Sequence, residues 1–341
     1  MKIAIVILNF NGLKHLKEFL PSVVQYSDEN PIYIIDNNST DNSVKFLKET
    51  YPKIKLVINS KNYGYAKGYN EGLKKVKEEV YCLLNNDVQV TKDWLKPIKE
   101  EFTNNKFVVI AQPKILDYKD KSKFEHAGAA GGFIDYFGYP YCRGRILNTV
   151  EIDHGQYDQD IDIFWASGAC FFIRKETFQL INGFDENFIN HMEEIDLCWR
   201  LSNLYPNLQK RFLFNSVVYH LGGGSLNYNN PKKLFYNIRN QRWMLIKNMN
   251  LFKWFSPTLY MIQIVNIFLA FYYLFTKGLQ HFKEVLYAIS QNSIKINDSK
   301  VNILNKYLKS RTKTSKPKHF IIKSVLIQYF LRGRKKFSDL T

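Results

Sequence analysis

The chain has 341 residues, of which 45% are hydrophobic, so it is long enough to bury the core of one large domain or of two ordinary ones. Its net charge of +17 lies almost entirely in residues 246–341, where 17 Lys and Arg face three acidic residues, and the first 245 residues carry only about +3. Because this basic excess lies outside any recognisable nucleic-acid recognition fold, nucleic acid is excluded as the partner.

The first predicted elements alternate between strands and helices. Apolar runs at residues 3–8, 32–35 and 54–58 predict strands, and helical patterns at residues 13–24 and 42–50 separate them. This β-α-β-α-β order predicts an α/β fold with a mostly parallel sheet. In such sheets ligands gather at the carboxyl ends of the strands.

Polar residues directly follow three predicted strands, two of those above and one further along the chain. They occupy residues 9–12, 36–41 and 85–87, the last set after an apolar strand at residues 80–84. Parallel strands would bring all three to one crevice. Asp36 has two interpretations: its turn caps the next helix through Ser39 or Asp41, or its carboxylate accepts hydrogen bonds from a nucleotide base or a ribose.

Glycines at positions 64, 68 and 72 recur every four residues and therefore line one face of a predicted helix. No Gly-Lys-Ser/Thr follows them, which excludes a Walker phosphate loop. The spacing favours close helix–sheet packing, with close approach to a ligand as the alternative.

A metal site is suggested by Asp87, whose hard oxygen ligands at a strand end suit Mg²⁺ or Mn²⁺ bound to a diphosphate. The alternative is an ordinary Asn-Asn-Asp turn. His220 follows a short apolar strand and precedes a glycine-rich loop at residues 221–225. It is either structural or a second ligand beside Asp87.

Five acidic residues fall within residues 185–196, around the start of a predicted helix at residues 191–200. Acids in a first helical turn often only complement the helix dipole. Carboxylates this close also raise one another's pKa, so a general base could be tuned among them.

Residues 254–276 contain no charge and are long enough to cross a bilayer, but their polar and tyrosine residues favour a helix lying in the membrane interface. Basic clusters at residues 309–313 and 332–336 predict contact with an anionic membrane surface. The four cysteines form no CxxC pair, which favours a reducing cytoplasm.

Taken in this order, the motifs resemble glycosyltransferase family 2, the inverting enzymes of GT-A fold, and within it the rhamnosyltransferase-like branch. The resemblance covers about residues 1–245 and implies a GT-A catalytic domain there, with a helical, basic, membrane-associating region at residues 246–341. It implies transfer of a sugar from dTDP-rhamnose or a UDP-hexose to a growing surface glycan or lipid-linked acceptor. The enzyme would then be peripheral at the cytoplasmic face of the membrane.

The resemblance assigns roles to individual residues. The metal, Mg²⁺ or Mn²⁺, would be held by Asp87 and His220, with Asn86 standing where the family usually has proline. Nucleotide binding is implied for Asn9, Asn11, Asp36, Asn62, Gly64, Asn70 and Asn86.

The implied catalytic set is Glu194, Glu193 and Asp196. The family's base motif usually reads Glu-Asp-x-Asp, so a glutamate replaces the expected aspartate at Glu194, and Glu193 remains a rival for the base. Contacts to the diphosphate or acceptor are implied for Arg143, Arg145, Trp165, Asp185 and Arg200. A sugar-nucleotide hydrolase or nucleotidyltransferase could use the same metal–diphosphate site, but neither needs the acidic helix start.

Overall fold

The structure is a computed structural model that describes residues 1–126, 128–222, 230–249, 257–291 and 322–340. Its strands are β1 Ile3–Asn9, β2 Ile32–Asp36, β3 Lys55–Ile58, β4 Val80–Leu84, β5 Val88–Val90, β6 Val108–Asp117, β7 Gly132–Ile134, β8 Pro140–Cys142, β9 Arg145–Ile146, β10 Thr149–Val150, β11 Ile161–Asp162, β12 Cys170–Arg174 and β13 Gln209–His220. Its α-helices are α1 Leu13–Tyr26, α2 Ser43–Thr50, α3 Gly64–Leu73, α4 Lys96–Asn104, α5 Lys175–Leu180, α6 Glu193–Leu204, α7 Pro231–Asn248, α8 Pro257–Lys277 and α9 Leu279–Ser290.

A nine-stranded sheet forms the centre, with strand order β11-β13-β6-β12-β4-β1-β2-β3 and β5 paired to β13. The strands β4, β1, β2 and β3 are parallel, whereas β12 runs antiparallel between β4 and β6. The predicted α/β fold is therefore confirmed. The antiparallel β12 makes the sheet mixed beyond its parallel half.

The sheet is buried on both faces, which explains why its strands read as continuous apolar runs. Along β1, Ala4 and Val6 belong to one core cluster, while Ile3, Ile5 and Ile7 belong to the other. Side chains of a strand alternate between faces, so a strand covered by helices on both sides has apolar residues at every position.

The first five elements lie where the sequence predicts them, with ends that differ by one or two residues. The strand at residues 80–84 is reproduced as β4, and the acidic helix begins at Glu193. The uncharged segment predicted at residues 254–276 overlaps α8, which ends one residue later at Lys277, and residues 254–256 lie outside the described part of the chain.

A second, four-stranded antiparallel sheet of order β10-β9-β8-β7 lies within the predicted catalytic region, and residues 322–340 pack against it. The Phe337 ring contacts Phe133, Tyr141 and Tyr157 at centroid distances of 5.1–6.1 Å. Its backbone N–H donates to Glu151 Oε1 over 3.1 Å. This part of the predicted basic tail is thus integrated into the core cluster of the first half of the chain.

The predicted boundary at residue 245 falls inside α7, which continues to Asn248. Helices α8 and α9 fold back on α7, where the rings of Phe235 and Tyr287 stack at 5.2 Å and Trp243 Nε1 donates to the Gln291 carbonyl over 3.1 Å. Within the described residues one helix segment, Leu259–Lys277, is long and apolar enough to cross a membrane by length and composition, and only 17% of its apolar window is buried.

Candidate active site

The predicted strand-end residues of β1, β2 and β4 meet at one edge of the sheet. Strand β1 lies between the other two, and its register pairs Asn9 with Asp36 and Ile7 with Leu84. The polar segments that follow these strands therefore emerge side by side, as expected for parallel strands.

Asn9 and Asp36 form the centre of a buried polar cluster. Asn9 Nδ2 donates to Asp36 Oδ2 over 2.9 Å, and Ser39 donates to the same carboxylate through its backbone N–H and its hydroxyl, both at 2.7 Å. Asn86 Nδ2 donates to Asn9 Oδ1 over 3.2 Å. The carboxylate of Asp36 thus organises the turn at residues 36–41 and links it to the Asn86 strand end.

Asn11 extends this cluster toward the surface. Its Oδ1 accepts from the backbone N–H of Thr40 at 2.7 Å and from that of Asp41 at 3.3 Å. Gly12 gives the cluster room, because a Cβ there would lie 2.3 Å from Asn9 Oδ1 and 2.4 Å from Asn86 Nδ2. Three residues of the predicted nucleotide site, Asn9, Asp36 and Asn86, are thus hydrogen bonded to one another.

The glycines of α3 are used mainly for packing. A Cβ at Gly68 or Gly72 would meet side chains of the sheet within 3 Å, those of Asn37 and Ile35 respectively. Asn62 Oδ1 accepts from Gly64 N, which begins the helix. Asn70 binds the backbone of Phe184 through both ends of its amide, so it fastens α3 to the acidic segment rather than facing the nucleotide cluster.

Asp87 and His220 form a buried pair across β5 and β13. The distance from His220 Nε2 to Asp87 Oδ1 is 3.1 Å, and both side chains are less than a tenth exposed. On the other side of the ring, Nδ1 lies 3.2 Å from Glu125 Oε1. Burial lowers the pKa of His220, but the two carboxylates outweigh burial and raise that pKa to about 10, while the His220 cation lowers the pKa of Asp87 against burial.

This donor set fits a divalent metal that is shared with a diphosphate. With its raised pKa, His220 carries a proton on both ring nitrogens, and a metal would have to displace the proton on Nε2 while Glu125 keeps the one on Nδ1. A carboxylate on Nδ1–H is the usual outer-shell arrangement of a metal-binding histidine, and Nε2 and Asp87 Oδ1 would then be the two protein ligand atoms. The described residues hold no group of three or more His, Cys, Asp or Glu that could bind a metal.

Glu193 and Glu194 begin α6 at the same edge of the sheet. Glu193 is only 4% exposed, whereas Glu194 is half-buried, and one oxygen of each carboxylate is buried without a hydrogen-bond partner. Burial raises the pKa of both, that of Glu194 to about 7, and the charge of Glu194 raises that of Glu193 further. Glu194 has the lower pKa of the two and therefore ionises first as the pH rises, and it is also the more accessible carboxylate.

Residues 168 and 169 connect these carboxylates to the pair formed by Asp87 and His220. The backbone N–H of Gly168 donates to Glu194, and its carbonyl accepts from the Tyr65 hydroxyl over 2.9 Å. The next carbonyl, that of Ala169, accepts from Asn85 N over 2.9 Å, two residues before Asp87. The predicted base and the predicted metal ligand are therefore joined through one short stretch of backbone.

Asp196 and Asp185 are part of a structural ion network. Lys247 Nζ lies 2.9 Å from Asp196 Oδ2 and 2.8 Å from Asp185 Oδ2. Asp196, which is fully buried, also accepts from Arg200 Nε at 2.7 Å and from Asn248 Nδ2 at 2.8 Å. These contacts occupy its oxygens, so the structure favours a positioning role for Asp196 over the catalytic role predicted for it.

The three arginines predicted to contact diphosphate or acceptor all donate to backbone carbonyls, and Arg200 donates to Asp196 as well. Arg143 donates to Ala130 and Gln159, Arg145 to Leu147 and His126, and Arg200 to Ile181 and Gly183. Trp165 donates to Phe133 O and is 5% exposed. These contacts brace loops in the structure, and the roles of the three arginines, Trp165 and Asp185 toward diphosphate or acceptor stay predictions.

Sequence reasoning missed Glu125, Tyr65 and Lys247. Glu125 reaches His220 because the chain reverses after β6, where Leu116 pairs with Phe124, and no linear motif signals that return. Tyr65 follows a predicted site residue, and its partly buried side chain reaches from α3 to Gly168. Lys247 lies beyond the predicted domain boundary.

Comparison with protein families gives a match to the family described as Glycosyl transferase family 2 over residues 4–180. Among curated relatives, N-acetylglucosaminyl-diphospho-decaprenol L-rhamnosyltransferase of Mycobacterium tuberculosis is 24% identical over 215 residues, covering 58% of this chain and 69% of its own. The dTDP-rhamnosyl transferase RfbF of Shigella flexneri is 21% identical over 71% of this chain and 79% of its own. Rhamnosyltransferase WbbL of Escherichia coli is 24% identical over 63% of this chain and 82% of its own.

Solved structures agree on the fold. GalNAc-T7 with UDP, GalNAc and Mn²⁺ superimposes with a TM-score of 0.60 at 15% identity, covering 90% of this chain but only 54% of that one. The mannosyltransferase PcManGT of Pyrobaculum calidifontis, in complex with GDP-Man and Mn²⁺, gives a TM-score of 0.50 at 12% identity, covering 97% of this chain and 86% of its own. The predicted GT-A fold is thereby confirmed.

Proposed function

The chain belongs to glycosyl transferase family 2, and from that premise we propose that it is a metal-dependent inverting enzyme that moves a sugar from a nucleotide-diphosphate donor to a hydroxyl of a surface glycan or lipid-linked acceptor. The observation that carries the proposal is the pair of adjacent carboxylates, buried Glu193 and half-buried Glu194, at the sheet edge that also holds Asp87 and His220. An inverting transfer by one displacement requires a base for the acceptor hydroxyl and, close to it, residues that hold the metal and the departing diphosphate.

The donor is proposed to be dTDP-rhamnose, with a UDP-hexose as the second choice. The relatives support this choice, because one is named a dTDP-rhamnosyl transferase and another a rhamnosyltransferase that acts on N-acetylglucosaminyl-diphospho-decaprenol. The latter name also supports a lipid-linked acceptor. The nucleotide would lie against the hydrogen-bonded cluster of Asn9, Asp36 and Asn86.

Glu194 is the proposed base. Its half-buried side chain is more accessible than that of Glu193, and its pKa of about 7 suits proton transfer near neutral pH. Glu193, with the higher pKa, keeps its proton and adds no second negative charge beside the attacking oxygen. A base must reach the acceptor hydroxyl at about 2.6–3.2 Å, and the Gly168 N–H holds one side of the Glu194 carboxylate for that contact.

In the proposed reaction the acceptor oxygen forms a bond to the anomeric carbon from the face opposite the diphosphate. The bond between that carbon and the diphosphate oxygen breaks, the hydroxyl proton passes to Glu194, and the nucleoside diphosphate leaves. Asp87 and His220 would hold Mg²⁺ or Mn²⁺, which neutralises the charge that develops on the leaving group. Attack from the opposite face inverts the configuration.

The membrane partner is proposed to be the anionic cytoplasmic surface, with α8 lying in the interface. Exposed apolar side chains of α8 recur at helical spacing, so they form one stripe: Tyr260, Met261, Ile264, Ile267, Phe268, Phe271, Tyr272 and Phe275. A second exposed pair, Phe330 and Leu331, precedes four exposed cations at residues 332–336. Apolar side chains beside Lys and Arg are typical of surfaces that bind anionic lipid headgroups.

The test is product analysis with dTDP-rhamnose, UDP-hexoses and GDP-mannose, a polyprenyl-diphosphate-linked sugar as acceptor, and Mn²⁺, Mg²⁺ or a chelator. We expect one donor to yield a glycosylated acceptor of inverted anomeric configuration, with loss of turnover in chelator. Release of free sugar without transfer would favour a sugar-nucleotide hydrolase. Retained configuration, or full activity in chelator, would contradict the mechanism.

A further inference from the structure

The segment that leads into α6 is strained. Ile189, His191 and Met192 all have left-handed backbone conformations, with φ of 62°, 69° and 70°. Residues with a Cβ avoid this region, and a β-branched residue such as isoleucine avoids it most. Three such residues lie within the four positions before Glu193, so the backbone immediately before the two glutamates is held in a conformation that it would not adopt by itself.

One side chain of α7 binds nearly every carbonyl of this segment. Asn240 Nδ2 lies 2.8 Å from the carbonyl oxygen of Phe188, 2.7 Å from that of Asn190 and 2.8 Å from that of His191. Its two hydrogens are therefore shared among three acceptors. Asn240 is fully buried, and its Oδ1 accepts from Arg239 Nε over 2.9 Å, which fixes the orientation of the amide.

The opposite side of the segment is bound by the start of α3. The Ile189 carbonyl accepts from Tyr65 N at 3.0 Å and from Ala66 N at 3.2 Å, and Asn190 Oδ1 accepts from Tyr65 N at 3.1 Å. The carbonyl of Ile189 is thus bound by α3, while those of Phe188, Asn190 and His191 are bound by Asn240. The backbone of the segment is therefore hydrogen bonded on both sides, by a side chain of α7 and by backbone N–H groups of α3.

From this geometry we propose that Asn240 is a positioning residue of the glycosyl transfer: it holds the strained segment and so fixes where α6 places Glu194. The inference rests on the proposed role of Glu194 as the base. Asn240 contacts no reacting group itself, because its amide bonds are all to backbone carbonyls and to Arg239. Its effect would therefore appear in the chemical step and not in donor binding.

Asn240→Ala is the first test variant, assayed by steady-state kinetics with the donor and acceptor that the wild type uses. We expect kcat to fall by about 10- to 100-fold, the range that a small misplacement of a catalytic group produces, with the donor KM within threefold of the wild type. We also expect the lower limb of the kcat–pH profile to shift, because the environment of Glu194 changes. The matched control is Gln241→Ala, the next residue on α7, which is buried and hydrogen bonds the Tyr139 hydroxyl.

Relief of the strain provides the second test. Glycine adopts positive φ without a steric penalty, so Ile189→Gly should let the segment keep its conformation with fewer restraints. We expect the double variant Asn240→Ala/Ile189→Gly to recover part of the lost kcat. A variant that weakens only the general stability of the protein would not be rescued by a glycine in this segment.

Several results would overturn the proposal: an unchanged kcat in Asn240→Ala, an equal loss in Gln241→Ala, or a rise in donor KM at constant kcat. If Asn240→Ala and the double variant both fail to bind nucleotide, Asn240 is a folding residue and the proposal is wrong. Glu194→Gln, assayed in the same experiment, separates a failure of the proposed base from a failure of the role proposed for Asn240. If that variant remains active, the assignment of the base fails, whereas an inactive Glu194→Gln with a normal Asn240→Ala contradicts only the role of Asn240.

Discussion

Nδ1 of His220 lies 3.2 Å from Oε1 of Glu125, on the side of the imidazole opposite to Asp87. The carboxylate therefore holds the proton on Nδ1, and Nε2 is the nitrogen that faces the candidate metal position. Glu125 would make no bond to the metal, yet the orientation of the ligand depends on it.

Glu125→Gln should weaken Mn²⁺ binding about 10- to 100-fold, the usual cost of losing an outer-shell partner of a metal-binding histidine. The measurement is a Mn²⁺ titration followed by thermal shift in the presence of nucleoside diphosphate, which needs no turnover. Glu18→Gln, a change of the same kind on α1, is the control. Equal Mn²⁺ affinity in the wild type and Glu125→Gln would contradict the role assigned to Glu125.

Glu194→Gln should lower kcat by about 10²–10⁴-fold, the usual contribution of a general base, and leave nucleotide affinity near that of the wild type. In the wild type kcat should rise with pH through about 7, because the base acts only when deprotonated and burial raises its pKa to that value. Glu193→Gln removes a group that is already protonated, so it should cost much less. The reverse order of effects would make Glu193 the base.

Gly12→Ala should weaken nucleotide binding without unfolding the protein. The added Cβ would lie 2.3 Å from Asn9 Oδ1 and 2.4 Å from Asn86 Nδ2, so the hydrogen bond between the two asparagines must break. Both atoms belong to side chains, which can move aside at low cost to stability. Isothermal titration with the nucleoside diphosphate checks the affinity, and a thermal melt checks the fold; unchanged affinity would remove this cluster from the nucleotide site.

Lys247→Met should destabilise the protein by about 3–5 kcal/mol, because removal of one partner of a buried ion pair leaves the other carboxylates uncompensated. Its ammonium group lies within 2.9 Å of both Asp185 and Asp196. Urea unfolding gives the free energy. The control is Lys74→Met, which breaks the exposed pair with Glu71 and should cost at most about 1 kcal/mol. Similar losses in the two variants would show that the buried network adds nothing beyond a surface pair.

The double variant Phe268→Ser/Phe275→Ser should bind vesicles of anionic lipid at least about 10-fold more weakly, since each buried aromatic side chain contributes about 1.5–3 kcal/mol. These rings are 68% and 84% exposed on α8. Phe107→Ser, at a ring that is 62% exposed on the catalytic region, is the matched control and should bind normally. Vesicle flotation measures binding, and equal recovery of all three proteins would contradict the proposed membrane face.

That the residues proposed to bind nucleotide and metal lie together could be predicted, because they follow parallel strands, whose carboxyl ends must meet. Asn9, Asp36 and Asp87 are of this kind. Glu125 could not be predicted, since its approach to His220 depends on a chain reversal after β6 that leaves no periodic signal. Arg143 and Arg200 donate to backbone carbonyls, which every residue carries, so no sequence pattern signals these contacts.

The packing of residues 322–340 could not be predicted from the sequence, because the prediction for the C-terminal region rested on its positive charge. Charge counting assigns residues 332–336 to a membrane surface, and these cations are indeed exposed. The same counting overlooks Phe337, a single ring after the cluster, which packs into the second sheet. One buried aromatic side chain decides where that segment lies, and a composition-based argument gives it little weight.

The position of Phe337 also bears on the order in which parts of the chain fold during synthesis. Phe337 covers strands β7 and β8, and its backbone binds Glu151, 186 residues earlier in the chain. Domains fold as units while the ribosome still extends them, but the inner face of the second sheet stays uncovered until residue 337 has left the ribosome. The catalytic region therefore reaches its final packing only after α8, with its exposed apolar stripe, has already emerged. The membrane contact that we propose for α8 would thus precede completion of the fold.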